Sequence, residues 1–293
     1  MSEAQSSDAA ASFEPLRGLL TGLAYRMLGS RAEAEDMVQE AYLRWHATDR
    51  AAVREPRAFL SRTVTRLCLD HLKSARVQRE DYVGPWLPEP LLDDSSLSVE
   101  SASEYANDLS VALLLALERL SPLERAAFLL HDVFDMSFEQ VGEALGREAT
   151  ACRQLATRAR HHVREEKPRF RPSAEEEARV FSAFTSALGS GDAAALSRVL
   201  AQDAVFYSDG GGKVKAALKP VSGPQHIARF LLGVLRRYGT ADMQVHPARI
   251  NGMPGIMLLG PSGPFQTIAL EVRDGLIARL YTVRNPDKLR HLH

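Results

Sequence analysis

The stretch SPLERAAFLLHDVFDMSFEQVGEALGREATACRQLATRARHHVR, from Ser121 to Arg164, decides how the middle of this chain folds. It reads as three short helices, the last two meeting across a turn centred on Gly146. Ser121 suits an N-cap, Pro122 suits the first helical position, and Glu124 completes a capping box. Apolar Leu123, Ala126, Ala127 and Leu130 then recur at helical spacing. Ser137 caps the next helix, whose Phe138, Val141 and Leu145 share one face. Gly146 follows where a left-handed residue ends a helix readily. In the last helix Cys152, Leu155, Ala159 and Val163 form an inward stripe, and Arg153, Arg158, Arg160 and Arg164 mostly lie off it. This is the layout of a helix-turn-helix with a basic recognition helix, and it points to sequence-specific DNA binding rather than catalysis. The competing explanation is a solvated basic face on an ordinary three-helix bundle.

Working outward, 293 residues suffice for two or three domains. The formal net charge is −1, but its distribution is uneven. Arg50, Arg54, Arg57, Arg62, Arg66, Lys73, Arg76 and Arg79 cluster against only Glu55 and Asp70, while acidic residues gather at 33–40 and 80–108. Two basic patches imply two separate DNA contacts, and the acidic zones imply a second, basic partner. Cys68 and Cys152 sit on apolar helical positions, so neither a disulfide framework nor a metal site is implied, and nothing calls for a cofactor. No apolar run of about 18 residues is present, so no membrane partner is expected. The opening MSEAQSSDAAASFEP lacks a basic-then-apolar leader, and a cytoplasmic setting is expected.

Residues 13–79 read as helices: Leu16, Leu19, Leu20, Leu23 and Met27 repeat up to Gly29, Ala34 to Trp45 make a second stripe, and a long basic helix follows Pro56. Residues 80–107, with Gly84, Pro85, Pro88, Pro90, Asp93, Asp94 and many serines, read as a linker. Helices return over 108–166, and KPRFRPS marks a second boundary. From Ser173 a capped amphipathic helix and a short helix over 192–200 precede strand-like runs at 204–208, 214–218, 243–250, 256–259, 266–272 and 276–283, with one helix at 224–237. Helices followed by antiparallel strands indicate an α+β domain. DGGGK (209–213) between two such runs reads as a hairpin turn.

Taken in order, EAEDMVQEAYLRWH (33–46), PRAFLSRTVTRLCLDHLKSARVQRE (56–80) and the 121–164 unit resemble the conserved regions two and four of a bacterial extracytoplasmic-function sigma factor. WLPEP (86–90), DGGGK (209–213) and NPDKL (285–289) resemble the signatures of the subgroup with a fused SnoaL-like C-terminal domain, the sigma-J type. The resemblance implies a multidomain chain: an all-α region two over 10–80, an acidic linker over 81–107, and an all-α region four over 108–166. A SnoaL-like α+β cone with a curved antiparallel sheet would follow over 173–293. It implies a non-enzymatic factor that directs core RNA polymerase, through its β′ and β subunits, to promoter DNA. The C-terminal domain would regulate it in place of a dedicated anti-sigma protein, and its cavity could hold a small-molecule effector.

Residue by residue, the resemblance assigns −10 contacts to Arg57, Arg62, Arg66, Lys73 and Arg76. Phe59 and Arg66 depart from the Trp and Asn that relatives often carry there. Thr150, Arg153 and Gln154 would read −35 bases, with Arg158 and Arg160 on the backbone. Asp36, Gln39, Glu40, Leu43 and Trp45 would contact polymerase, and Asp93 and Asp94 would thread toward its cleft. Trp86, Leu87, Pro88, Asp209, Gly210, Gly211, Gly212, Lys213, Asn285, Pro286 and Asp287 would carry interdomain regulation, with the C-terminal domain packing on the WLPEP hook and on region two. Two rivals remain. One is an isomerase- or cyclase-type enzyme using Tyr207, Asp209, Asp242, His246 or Tyr281. The other is a dimeric repressor, which would need neither the 33–46 helix nor two basic patches.

Overall fold

A computed structural model describes residues 3–80, 82–92, 108–166, 172–239 and 242–292. The chain divides into two compact units, Met1–Glu80 with Asp94–Lys167, and Asp81–Asp93 with Pro168–His293. The described part of the expected linker therefore belongs to the second unit rather than standing between domains.

In the first unit, α1 (Glu3–Leu28), α2 (Arg31–Ala47) and α3 (Pro56–Glu80) pack through Leu20, Leu23, Met27, Ala34, Val38, Ala41, Leu60, Val64 and Cys68, all buried. Gly29 takes φ 71° and ends α1, and Ser30 caps α2 by accepting from the Glu33 N–H. Next come α4 (Val111–Glu118), α5 (Pro122–Phe128), a short π-helical stretch over Leu129–Val133, α6 (Phe138–Leu145) and α7 (Ala149–Glu166). Both expected helix starts are formed as reciprocal capping boxes, Ser121 with Glu124 and Ser137 with Gln140. Gly146 closes α6 in the left-handed region. Cys152, Ala156, Ala159 and Val163 point inward from α7, and both cysteines are free and buried.

The second unit opens with α8 (Ala174–Ser190), capped by Ser173, and α9 (Ala193–Arg198), capped by Asp192. Strands β1 (Leu200–Asp209), β2 (Val221–Ser222), β3 (Gln244–Ile250), β4 (Met253–Gly260), β5 (Gly263–Arg273) and β6 (Leu276–Val283) form one sheet, and α10 (Pro224–Tyr238) lies between β2 and β3 in sequence. The strand order is β2-β1-β6-β5-β4-β3. The ladders are antiparallel except β1 with β6, which is parallel. The chain leaves β1, crosses through α10, and returns along a β3–β6 meander whose last strand runs beside the first. Asn251-Gly252 and Asp274-Gly275 turn the β3–β4 and β5–β6 hairpins with φ above zero at both central residues. That conformation matches the twist of the strands they join.

Alternation gives the sheet two faces. Phe206, Ile256, Ile268, Leu270 and Leu280 share a core with Phe184 of α8, Leu196 of α9 and Ile227 and Leu231 of α10. Tyr207, Asp209, Glu271 and Tyr281 alternate with these on the other face. The strand expected over 214–218 is absent. Lys213 N–H donates to Gly210 O at 3.0 Å, closing a tight turn, and the chain then runs irregularly to β2 with Leu218 65% exposed. DGGGK is thus a turn but not a hairpin. Its apolar follow-on residues lack the neighbouring strand that would make them one.

Candidate functional site

Helix α3 carries the expected −10 residues, and in the first unit several of them are engaged by α6. Arg66 Nε donates to Ala144 O at 3.0 Å and Nη2 to Glu143 O at 2.7 Å. These are the terminal carbonyls of α6, the negative end of its dipole, so Arg66 caps that helix from outside. Arg62 forms an ion pair with Glu143, Arg57 reaches Phe134 O at 3.5 Å, and Gln140 Nε2 donates to Glu55 at 3.0 Å. Buried Arg125 of α5 donates to Met27 O at the end of α1. Lys73 is exposed and pairs with Asp70 at 2.7 Å, so Asp70 is not held by Arg66 as helical spacing alone would allow. The Arg76 side chain lies outside the described residues, as do Asp93 and Asp94.

On α7, Thr150, Arg153 and Gln154 are exposed at the N-terminal turns. The Arg153 guanidinium lies 5.0 Å over the Phe138 ring, which orients it without neutralising it. Arg158 pairs with Glu124 at 2.7 Å and Arg160 with Asp132 at 2.6 Å. Burial tends to raise the Glu124 carboxyl, but hydrogen bonds from Ser121 and Arg158 outweigh it and hold the group below the usual carboxylate range.

On α2, Asp36, Gln39 and Leu43 form an exposed stripe, with Leu43 55% exposed and Glu40 bonded to Arg44 at 3.0 Å. Trp45 corrects the sequence reading. It is 1% exposed, tilts against Phe59 at 5.6 Å and donates from Nε1 to Ser12 Oγ at 3.1 Å. A side chain so enclosed supports the stripe from below and cannot itself meet a partner.

In the second unit the three signature motifs WLPEP, DGGGK and NPDKL converge on Asp209, which is fully buried at the end of β1. Its Oδ1 accepts from Tyr82 Oη at 2.6 Å and Gly211 N at 3.0 Å, and its Oδ2 from Leu87 N at 2.8 Å and Lys288 Nζ at 2.8 Å. Lys288 also donates to Leu87 O and sits 4.4 Å over the Trp86 ring. Asn285 Nδ2 donates to Tyr82 Oη at 3.0 Å, while its Oδ1 accepts from Asp287 N at 3.1 Å and caps a 3-10 turn begun by Pro286. Lys213 pairs with Asp287. Gly211 takes φ +57°, and a Cβ there would lie 2.2 Å from Asn285 Nδ2, so only glycine lets the turn close on the motif. Gly210 is equally tight, its Cβ position 2.5 Å from Val214 O, and Gly212 takes φ +71° beside Val83. Leu87 and Pro88 are buried. Further along, Leu91 and Asn251 exchange backbone and side-chain hydrogen bonds at 2.7 and 3.1 Å. Residues 82–92 are thereby fastened from β1 to the β3–β4 turn. Burial and the Asp209 carboxylate push the Tyr82 hydroxyl above its ordinary value.

Sequence reasoning missed Lys288 and Tyr82. Lys288 stood inside the NPDKL motif, but a buried cation can be recognised only once its carboxylate is in place. The residues of the enzyme reading do not converge: Tyr207 stacks on Tyr281 at 5.7 Å, Tyr281 donates to Glu271 at 2.7 Å, Asp209 holds the linker, and Asp242 and His246 are exposed.

Residues 13–77 match the family model for sigma-70 region 2, and residues 110–163 match that for sigma-70 region 4. The ECF RNA polymerase sigma factor SigJ of Mycobacterium tuberculosis is 37% identical, over 94% of this chain and 91% of that protein. This chain belongs to the extracytoplasmic-function sigma factors. The probable ECF sigma factor SigI of the same organism is 30% identical over 97% and 96% of the two chains. The crystal structure of M. tuberculosis SigJ superposes with a TM-score of 0.74 at 36% identity, covering 96% of this chain and 98% of that one. As an ECF sigma factor, the chain is a transcription initiation factor and not an enzyme. It binds core RNA polymerase and directs it to promoter DNA. The two helical sigma modules and the α+β C-terminal domain are those the sequence led one to expect.

Proposed function

We propose that this sigma factor acts in the cytoplasm, seated on the β′ and β subunits of polymerase through the α2 stripe of Asp36, Gln39, Glu40 and Leu43. Thr150, Arg153 and Gln154 read −35 base edges from the start of α7, while Arg158 and Arg160 hold phosphates. Arg57, Arg62, Arg66, Lys73 and Arg76 capture the opened −10 strand in a cationic groove. Because Arg62 and Arg66 are satisfied by α6, that capture requires α6 to leave α3. Promoter binding on polymerase therefore competes with a closed form of the first unit.

The second half of the proposal is that the C-terminal domain sets activity by holding the linker between the two sigma modules. The observation that carries it is the Asp209 carboxylate, whose acceptor positions are filled by Tyr82, Leu87, Gly211 and Lys288. A linker held this firmly limits how far the two DNA-binding modules separate. Run-off transcription with purified core polymerase tests both halves. The wild-type chain should confer promoter-specific initiation, and Trp86→Ala should alter its yield while both domains stay folded by circular dichroism. No promoter-specific product from the wild type would end the proposal, and an unchanged yield from Trp86→Ala would end its regulatory half.

A further inference from the structure

A cavity of ≈ 180 Å³ opens in the second unit between the helix-covered face of the sheet and α10. Phe206, Phe230, Leu231 and Val234 line it together with Thr282 and Arg284. It has two chemically distinct ends. Phe206 and Phe230 pack ring against ring at 5.2 Å, giving an apolar end. Two residues further along β6 from Leu280, which pairs with Phe206, comes Thr282, paired with Ser208; Arg284 follows just beyond the strand.

The polar end is unsatisfied. Thr282 is 1% exposed, and its Oγ1 has no hydrogen-bond partner. Arg284 Nε is likewise buried and unpartnered, although its Nη1 is anchored on Lys215 O. Among the described residues no carboxylate pairs with Arg284. Burial is the main cause that lowers its pKa. A half-buried cation without an anion, beside a buried hydroxyl without a partner, is a costly arrangement for a domain to keep unfilled. Both groups can donate, and both line a cavity whose other wall is aromatic and aliphatic.

We propose that this cavity is a binding site for a small apolar monocarboxylate. Its carboxylate accepts from Arg284 Nε and Thr282 Oγ1, and its hydrocarbon or aryl body lies against Phe206, Phe230 and Val234. One carboxylate oxygen for each donor satisfies both groups, and the ligand's charge supplies the missing counter-ion. A neutral apolar molecule would leave the cation unpaired, and a polyanion would waste the apolar wall. The site also adjoins the linker clasp, since the backbone N–H groups of Arg284 and Asn285 both donate to Asp209 O, at 2.8 and 3.0 Å. Any transcriptional effect of the ligand rests on the regulatory reading above, whereas binding itself does not.

The test uses the full-length chain without polymerase, so its failure leaves the sigma-factor reading intact. Phenylacetate and hexanoate are titrated against amide resonances, with phenylacetamide and hexanamide as neutral counterparts. The carboxylates should give saturable shifts centred on Thr282 and Arg284 and the amides much weaker ones. Thr282→Val should weaken carboxylate binding by about tenfold, the loss of one hydrogen bond to a charged group. Arg284→Gln should weaken it at least as much, and Arg284→Lys, which keeps the charge, should retain part of it. Thr282→Val should also leave the unliganded chain at least as stable to heat, because it removes a hydroxyl that bonds to nothing; this separates lost binding from lost folding. The proposal is overturned if neither carboxylate shifts those resonances, if the amides bind as well as the acids, or if both variants bind like the wild type.

Discussion

Lys288 donates to Asp209 at 2.8 Å, with the carboxylate fully buried and the ammonium nearly so. The pair closes the linker onto the C-terminal domain, because the same Asp209 oxygen also accepts the Leu87 N–H and Lys288 also reaches the Leu87 carbonyl. Both backbone polar groups of Leu87 are thus held by one ion pair. Trp86, next to Leu87, lies against the ammonium face-on and shields it from water. The three signature motifs are therefore parts of a single clasp. WLPEP supplies the strap, DGGGK the carboxylate and its turn, and NPDKL the cation and its cap.

Asp209→Asn should be among the most damaging single substitutions in this unit. A carboxylate offers about four acceptor positions, and an amide would turn an –NH2 toward groups that are themselves donors. Breaking a buried pair from one side typically costs about 3–5 kcal/mol. Urea unfolding of the full chain should show a loss of that size, with protease cleavage appearing between 82 and 92. Wild-type stability and protection in Asp209→Asn would show that the clasp is not holding the linker.

Much of this was legible in the sequence, for local reasons. Ser121 with Glu124, Ser137 as a cap, and Gly146 are signals that a helix end satisfies with its own neighbours, so all three were found at the expected residues, and Gln140 completes a second box the sequence reading had not named. Trp45 was legible as well, and misassigned. It continues the buried stripe of Ala34, Val38 and Ala41, so its periodicity already placed it in the core. The run Val214–Leu218 failed because apolar composition does not supply a partner strand. Lys288 and Tyr82 were invisible because their meaning lies in Asp209, more than seventy residues from one and more than a hundred from the other. The capping of α6 by Arg66 was hidden for the same reason, since backbone carbonyls leave no trace in a sequence.

Trp45 and Leu43 separate packing from docking on one helix. Trp45→Ala should cost about 3–5 kcal/mol, as large-to-small core substitutions do. Leu43→Asp, at a position 55% exposed, should leave the thermal midpoint nearly unchanged and abolish co-elution with core polymerase. Retention of polymerase binding by Leu43→Asp would move the docking surface off this stripe.

Glu143→Ala weakens the α6 side of its contact with α3 without touching a DNA-reading residue. The Arg62–Glu143 pair is substantially exposed, so its loss should change stability by no more than about 1 kcal/mol. It also frees the Arg62 guanidinium. Fluorescence anisotropy with a single-stranded −10 oligonucleotide should show tighter binding by Glu143→Ala than by the wild type. Equal or weaker binding would mean that α6 does not compete with the strand.

Arg153 and Arg158 stand five residues apart on α7 and should fail differently. Arg153 forms no salt bridge among the described residues and lies over Phe138 near the helix start, where base edges are read. Arg153→Ala should lose about 1–3 kcal/mol at one −35 position and bind variants of that base nearly alike. Arg158 is already paired with Glu124, and a phosphate contact would exchange one anion for another. Arg158→Ala should weaken all −35 sequences by a similar factor and flatten the salt dependence. It should also remove one of the hydrogen bonds that hold the Glu124 carboxyl low. A depressed carboxyl stabilises the fold above its unfolded pKa, and that contribution is lost as pH falls through the folded value. Arg158→Ala should therefore reduce the wild-type advantage at neutral pH and unfold with a shallower acid slope. A promoter panel with gel-shift readout at two salt concentrations distinguishes the two arginines, and identical profiles for both variants would refute the division of labour on this helix.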